Sequence, residues 1–195
     1  MPSKGQVDRT EDFVLAQARA GNRDAFRTLV ERHSRAVFRV AYRVTGNDAD
    51  AEDVVQETFL KAYAELSRFE ARSGLGTWLH RIAANCAVDL LRKRPRQTVS
   101  HEDEAAGPLV ERLATPTAGP ERLAQGREVR DRIEVAMADL TPLERAAFTL
   151  RHLEQQPIET IAAALGQNAA ATRHSIFRAV AKMRRALAPL VRTEA

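Results

Sequence analysis

Apolar residues recur at three- and four-residue spacing along most of this chain and stop only where Gly, Asn and Pro collect. A chain so patterned folds into helices, because that spacing puts one apolar stripe on one side of a 3.6-residue turn. Between Glu11 and Arg96 the breaks fall at Gly21-Asn22, Gly46-Asn47 and Ser73-Gly74 with Gly76. They predict a short helix over Asp12–Arg19 and a longer one whose apolar side is Phe26, Leu29, Val30, Val37, Val40 and Ala41. A third helix, capped by Asn47 or Asp48, runs to about Leu66, and a fourth runs from Thr77 into the basic stretch Arg92-Lys93-Arg94-Pro95-Arg96. Apolar residues make up 44% and aromatics only 5%. That composition buries a helical core and leaves little for an aromatic-rich sandwich of strands.

The pattern changes between Gln97 and Gln125, where Gly107, Pro108, Pro116, Gly119 and Pro120, with the acidic run Glu102-Asp103-Glu104, leave no sustained helical periodicity beyond one turn near Leu109. That segment is expected to be a flexible linker. The expected fold is therefore all-α, with two small helical domains over residues 10–96 and 126–192 and a linker over 97–125. The second domain is punctuated by Thr141-Pro142-Leu143-Glu144: an N-cap Thr, Pro at the first helical position and Glu placed to close a capping box. Ile158, Ile161, Ala162 and Leu165, then Gly166-Gln167-Asn168, then Ile176, Val180, Met183 and Leu187 read as a helix-turn-helix.

Three surfaces are candidates for function. On the third helix Asp50, Asp53 and Glu57 recur at i, i+3 and i+7 and place carboxylates on one face, which suits a basic protein partner or is simply a solvated face. On the fourth, Trp78, Arg81, Asn85, Asp89 and Arg92 form a polar stripe opposite Leu79, Ile82, Ala83, Cys86 and Leu90. An indole among Arg and Asn can stack on an unpaired base; alternatively Trp78 packs as core beneath the loop that begins at Phe69. On the last helix Arg178, Lys182 and Arg185 fall at i, i+4 and i+7, with His174 and Ser175 nearer the end that would enter a major groove. A two-helix hairpin with a solvated charged face gives the same pattern.

Several classes are disfavoured. The lone Cys86 cannot form an internal disulfide, and no Cys and His cluster has metal-ligand spacing, so neither a metal nor another cofactor is expected. Clustered carboxylates could hold Mg²⁺, yet no catalytic His, Cys or phosphate-cradling Gly loop accompanies them. No apolar stretch suggests a signal peptide or direct insertion into a membrane, which makes the cytoplasm the expected compartment. The formal net charge of +4 is compatible with a polyanionic partner.

The stretch Asp50-Ala-Glu-Asp-Val-Val-Gln-Glu-Thr-Phe59, then Phe69, then Thr77-Trp-Leu-His-Arg-Ile-Ala-Ala-Asn85 and Asp89, then the helix-turn-helix, resembles the group IV, extracytoplasmic-function sigma factors of bacterial RNA polymerase. The resemblance runs from about residue 10 to residue 190 and is closest to envelope-stress members. It implies that Asp50, Asp53, Gln56 and Glu57 dock on the β′ clamp helices of core RNA polymerase, the β subunit being a further contact. It implies that Phe69, Arg72, Ser73, Gly74, Trp78, Arg81, Asn85 and Arg92 engage the minus-ten promoter DNA and capture an extruded base. Arg173, His174, Ser175, Arg178 and Lys182 would read the minus-thirty-five element, and an anti-sigma factor would be a further partner. No catalysis is implied. The chain departs from the family at Ala170-Ala171-Thr172-Arg173-His174-Ser175, where Gly-Thr-Val-Lys-Ser-Arg is common. It departs again at Arg72 and Leu75, where relatives carry an Asp and an aromatic.

Overall fold

The computed structural model describes residues 4–69, 74–93, 129 and 131–191. The expected linker, 97–125, lies outside the described residues, as do Arg72 and Ser73. In chain order the helices are α1 (Lys4–Arg19), α2 (Arg23–Thr45), α3 (Asp48–Glu65), α4 (Leu75–Lys93), α5 (131–138), α6 (Pro142–Phe148), α7 (Ile158–Ala164) and α8 (Ala169–Val191). A 3-10 turn, Leu66–Arg68, follows α3, and a wider π-type turn, Thr149–Leu153, follows α6. Among the described residues there is no strand.

The breaks read from sequence act as caps. Asn22 accepts the backbone amides of Asp24 and Ala25 at 3.0 and 3.1 Å and starts α2. Gly46 ends that helix in the left-handed conformation, φ 84°, its amide returning to the Tyr42 carbonyl at 2.7 Å. Asn47 at once caps α3: its Oδ1 accepts the Asp50 amide at 2.8 Å and its Nδ2 donates to Asp50 Oδ2 at 2.7 Å. The chain thus reverses within two residues, and α2, α3 and α4 close around Leu29, Val37, Val40, Val44, Val54, Leu79 and Val88, each nearly or wholly buried. Removing a side chain of that size from water contributes about 1.5–3 kcal/mol. Leu15 and Ala18 hold α1 against this bundle. Two helix starts differ from the sequence reading. α1 begins at Lys4 rather than Asp12, and α4 begins at Leu75 because that residue is buried in the bundle and Gly76 continues the helix.

In the second unit the predicted capping box closes in both directions, the Glu144 amide donating to Thr141 Oγ1 at 3.3 Å and the Thr141 amide to Glu144 Oε2 at 3.0 Å. Gly166, φ 61°, makes the turn from α7, and Asn168 Oδ1 accepts the Ala171 amide at 2.8 Å to start α8. Ala136, Leu140, Ala179 and Met183 form a small core beneath α8.

The two units are not held apart. α6, α7 and the π-type turn lie against α2 and α4, and Ala146, Ala147, Leu150, Ile161 and Leu165 belong to the same buried cluster as Val37 and Leu79. Glu154 stands at the seam: its Oε1 is 3.0 Å from Arg43 Nη1 and its Oε2 2.9 Å from His80 Nδ1. The next residue, Gln155, takes φ 53°, a left-handed conformation rare for a residue with a Cβ. Arg145 Nη1 donates to the Val44 carbonyl at 3.0 Å, so a cation from α6 caps the carboxyl end of α2.

Candidate functional site

α3 sorts its carboxylates by depth. Asp50 is 1% exposed and bound to Asn47, so it belongs to the start of the helix and not to its outer face. That corrects the single face expected from spacing: one carboxylate of the three turns inward to accept from the side-chain amide of the capping Asn47. Asp53, Gln56 and Glu57 are exposed, with Lys61 Nζ 3.3 Å from Glu57 Oε1. The ridge continues into apolar side chains. Leu60 is 68% exposed, and Tyr63 lies beyond it with its ring edge-on to Phe26, centroids 4.9 Å apart. Composition alone hid Leu60; its signal was its place at i+3 and i+4 from Glu57 and Gln56 on an acidic face. Beside the ridge a groove of about 620 Å³ between α2 and α3 is lined by Glu31, Arg35, Phe38, Glu52 and Gln56.

On α4 both readings of Trp78 are partly realised. Its ring lies on buried Phe69, centroids 4.8 Å apart and planes tilted by 34°, so the indole is half-buried rather than wholly displayed on the polar stripe. Arg81 and Asn85 are also half-buried, and Gly74 and Arg92 are exposed. Arg81 Nε is buried without a hydrogen-bond partner among the described residues. A charged donor left so costs free energy unless a ligand arrives to accept from it.

Beneath the stripe Cys86 is buried with its Sγ 3.4 Å from Lys61 Nζ. Burial pushes this thiol above its ordinary value, and the nearby ammonium only partly opposes the effect.

α8 separates into an inward row and an outward row. Thr172, Ser175, Ala179 and Met183 are buried, so Ser175, expected on the DNA face, lies on the core side in this structure. Its position three residues after Thr172 on a helix dictates that. Arg173, His174, Phe177, Arg184 and Arg185 are exposed, Phe177 by 70%. Phe177 escaped the reading by charge although it sits four residues after Arg173 on the outward row.

Arg178 and Lys182 are tied to a carboxylate of the same unit. Arg178 Nε is 3.1 Å from Glu144 Oε1, and Lys182 Nζ is 2.9 Å from Glu144 Oε2 and 3.0 Å from the Asp139 carbonyl. Glu144 itself is 2% exposed. Burial works to raise its pKa, but the Thr141 amide and the charges of Lys182 and Arg178 outweigh it and hold the carboxyl below the ordinary range.

Among the described residues no group of three or more His, Cys, Asp or Glu is placed to hold a metal ion, and no helix is long and apolar enough to cross a membrane.

Comparison with known proteins matches residues 29–97 to Sigma-70 region 2 and residues 130–183 to Sigma-70, region 4. The chain is 32% identical to the ECF RNA polymerase sigma-E factor of Escherichia coli over 191 residues, 94% of this chain and 97% of that protein. It is 33% identical over 160 residues, 82% of this chain, to the ECF RNA polymerase sigma factor SigE of Mycolicibacterium smegmatis, of whose length the match spans 60%. Among solved structures it is similar to CnrH, determined in complex with the cytosolic domain of CnrY, with TM-score 0.57 and 28% identity over 94% of this chain and 97% of that one. RpoE of Bartonella quintana, determined with the anti-sigma factor NepR, shares the fold with TM-score 0.61 at 24% identity, over 83% and 96% of the two chains.

Proposed function

The chain belongs to the extracytoplasmic-function sigma factors, transcription initiation factors that recognise promoters, and from that membership we propose how its surfaces divide the work. Asp53, Gln56 and Glu57 dock on the basic β′ clamp helices of core RNA polymerase, charge complementarity setting the encounter and orientation while Leu60 supplies apolar contact at the end of the ridge. Asp50 supports that surface from beneath by fixing the first turn of α3.

The face of α4 with Phe69, Gly74, Trp78, Arg81, Asn85 and Arg92, together with Arg72 and Ser73, takes the minus-ten element as its strands separate. Trp78, backed by Phe69, offers a supported ring for an unstacked base, and Arg81 Nε, without an acceptor among the described residues, offers a donor to phosphate or base. On α8 the outward row of Arg173, His174, Phe177 and Arg178 reads the minus-thirty-five duplex in the major groove. The protein carries no reaction chemistry of its own; the polymerase does. It works in the cytoplasm, and an anti-sigma factor, the kind of protein determined in complex with RpoE of Bartonella quintana, is a further partner.

The observation that carries this reading is Arg81 Nε, buried without an acceptor among the described residues, on the helix that carries a half-covered indole and follows an exposed acidic ridge. Run-off transcription with purified core polymerase tests it. Trp78→Ala with Arg81→Ala should abolish initiation on closed duplex and recover it on a template with a pre-melted bubble. Equal initiation by variant and wild type on closed duplex would overturn the assignment.

A further inference from the structure

Helix α8 offers its cations unequally, and the cause lies outside α8. Arg178 is ion-paired with Glu144 on its Nε side, 3.1 Å from Oε1, while 52% of its side chain stays exposed. Lys182 is the opposite case: its Nζ is held by both Glu144 Oε2 and the Asp139 carbonyl. Glu144 can serve both cations because it is buried at the start of α6, pinned by the capping box to Thr141 and therefore fixed relative to the body of the unit.

We infer that Glu144 is the positioning residue of the duplex-reading face: it locks Arg178 with its terminal fork outward to read a guanine, and it retires Lys182 as a strut. This rests on the reading of α8 as the element that enters the major groove. A guanidinium held at Nε presents its two terminal N–H groups in parallel, the geometry that O6 and N7 of guanine accept. A free Arg must give up rotamer freedom to reach that pose, and the Glu144 carboxylate imposes much of the ordering in advance. Lys182, with two acceptors already on its ammonium, has little left for a phosphate.

The substitution Glu144→Gln separates this role from the cap, because a capping box accepts Gln as well as Glu. Thr141→Ala does the reverse, weakening the cap and leaving the carboxylate. Holoenzyme reconstituted from the full chain and core RNA polymerase is used to select duplexes from a randomised pool, and the enriched sequences are read position by position.

The wild type should enrich a site containing a guanine column. Arg178→Ala and Glu144→Gln should each reduce preference at that position, by about 5- to 150-fold for Arg178→Ala, and leave the other positions standing. Thr141→Ala should keep the column. Lys182→Ala should leave the salt dependence of binding unchanged.

A guanine preference that survives Glu144→Gln, or an even loss at every position, overturns the anchor. A salt slope smaller by about one with Lys182→Ala makes that residue a phosphate ligand and overturns the strut. If Glu144→Gln does not fold by far-ultraviolet circular dichroism, Arg178→Lys serves in its place, since it keeps the charge and lacks the fork; an intact column would then overturn the proposal. Failure of the wild-type holoenzyme to enrich any duplex would instead refute the function of α8 itself.

Discussion

Replacing Glu154 with Ala tests the seam between the two units. In the folded chain Glu154, Arg43 and His80 keep 17%, 29% and 14% of their side-chain surface exposed, so the carboxylate neutralises a largely enclosed Arg and receives a hydrogen bond from His80. Removing one partner of a buried pair costs about 3–5 kcal/mol, because the other charge stays behind unpaired. Arg43 is already displaced below its ordinary pKa, chiefly by burial, and it retains some access to water, which favours the lower end, about 3 kcal/mol. At 1.4 kcal/mol per factor of ten, the ratio of packed to parted units falls by about a hundredfold.

The assay is urea unfolding followed by circular dichroism, with small-angle scattering at each concentration. Glu154→Ala should expand at low urea, before its helices melt, whereas the wild type should expand and melt closer together. The pH dependence gives an independent check. Glu154 is held below its ordinary value of 4.5, first by the His80 hydrogen bond, with the charges of His80 and Arg43 adding to it against burial. Its contribution is therefore fully present above about pH 4.5 and disappears as pH falls through the lower folded value. Wild type and variant should converge below pH 4.5. An undiminished difference in acid, or none at pH 7, would refute the argument.

Other perturbations separate surface from support. Charge reversal at exposed Asp53 and Glu57 should weaken binding to core polymerase at least tenfold in a fluorescence titration while moving the folding free energy by less than about 1 kcal/mol. Asp50→Ala should do the reverse, costing about 1–2 kcal/mol in urea unfolding as the capping Asn47 loses the carboxylate that holds its side-chain amide. Gly46→Ala should cost about 1–2 kcal/mol by the same measurement, since φ is 84° and the new Cβ would stand 3.2 Å from Arg145 Nη1.

Much of this was legible in the sequence because local chemistry decides it. Asn22, Gly46, Asn47, Thr141 and Glu144 each act within a few residues of themselves, and the structure puts them where caps are needed. What could not be read was chemistry made by distant residues. Asp50 and Asp53 share a spacing, but only the fold shows that one is buried and the other exposed. Arg178 and Lys182 read as free cations on a helical face, since Glu144 is 34 and 38 residues away along the chain. The packing of α6 and α7 on α2 and α4 was equally hidden. The apolar residues that join the units, Leu150 and Ile161, look in sequence like ordinary core of their own hairpin.

That packing also makes the molecule a short ruler. A compact chain of 195 residues has a radius of gyration of about 16 Å. Landmarks about 25 base pairs apart on straight duplex lie roughly 85 Å from each other. A caliper closed on Glu154 is shorter than that distance, so the proposed readings of α4 and α8 together require the seam to part on promoter DNA.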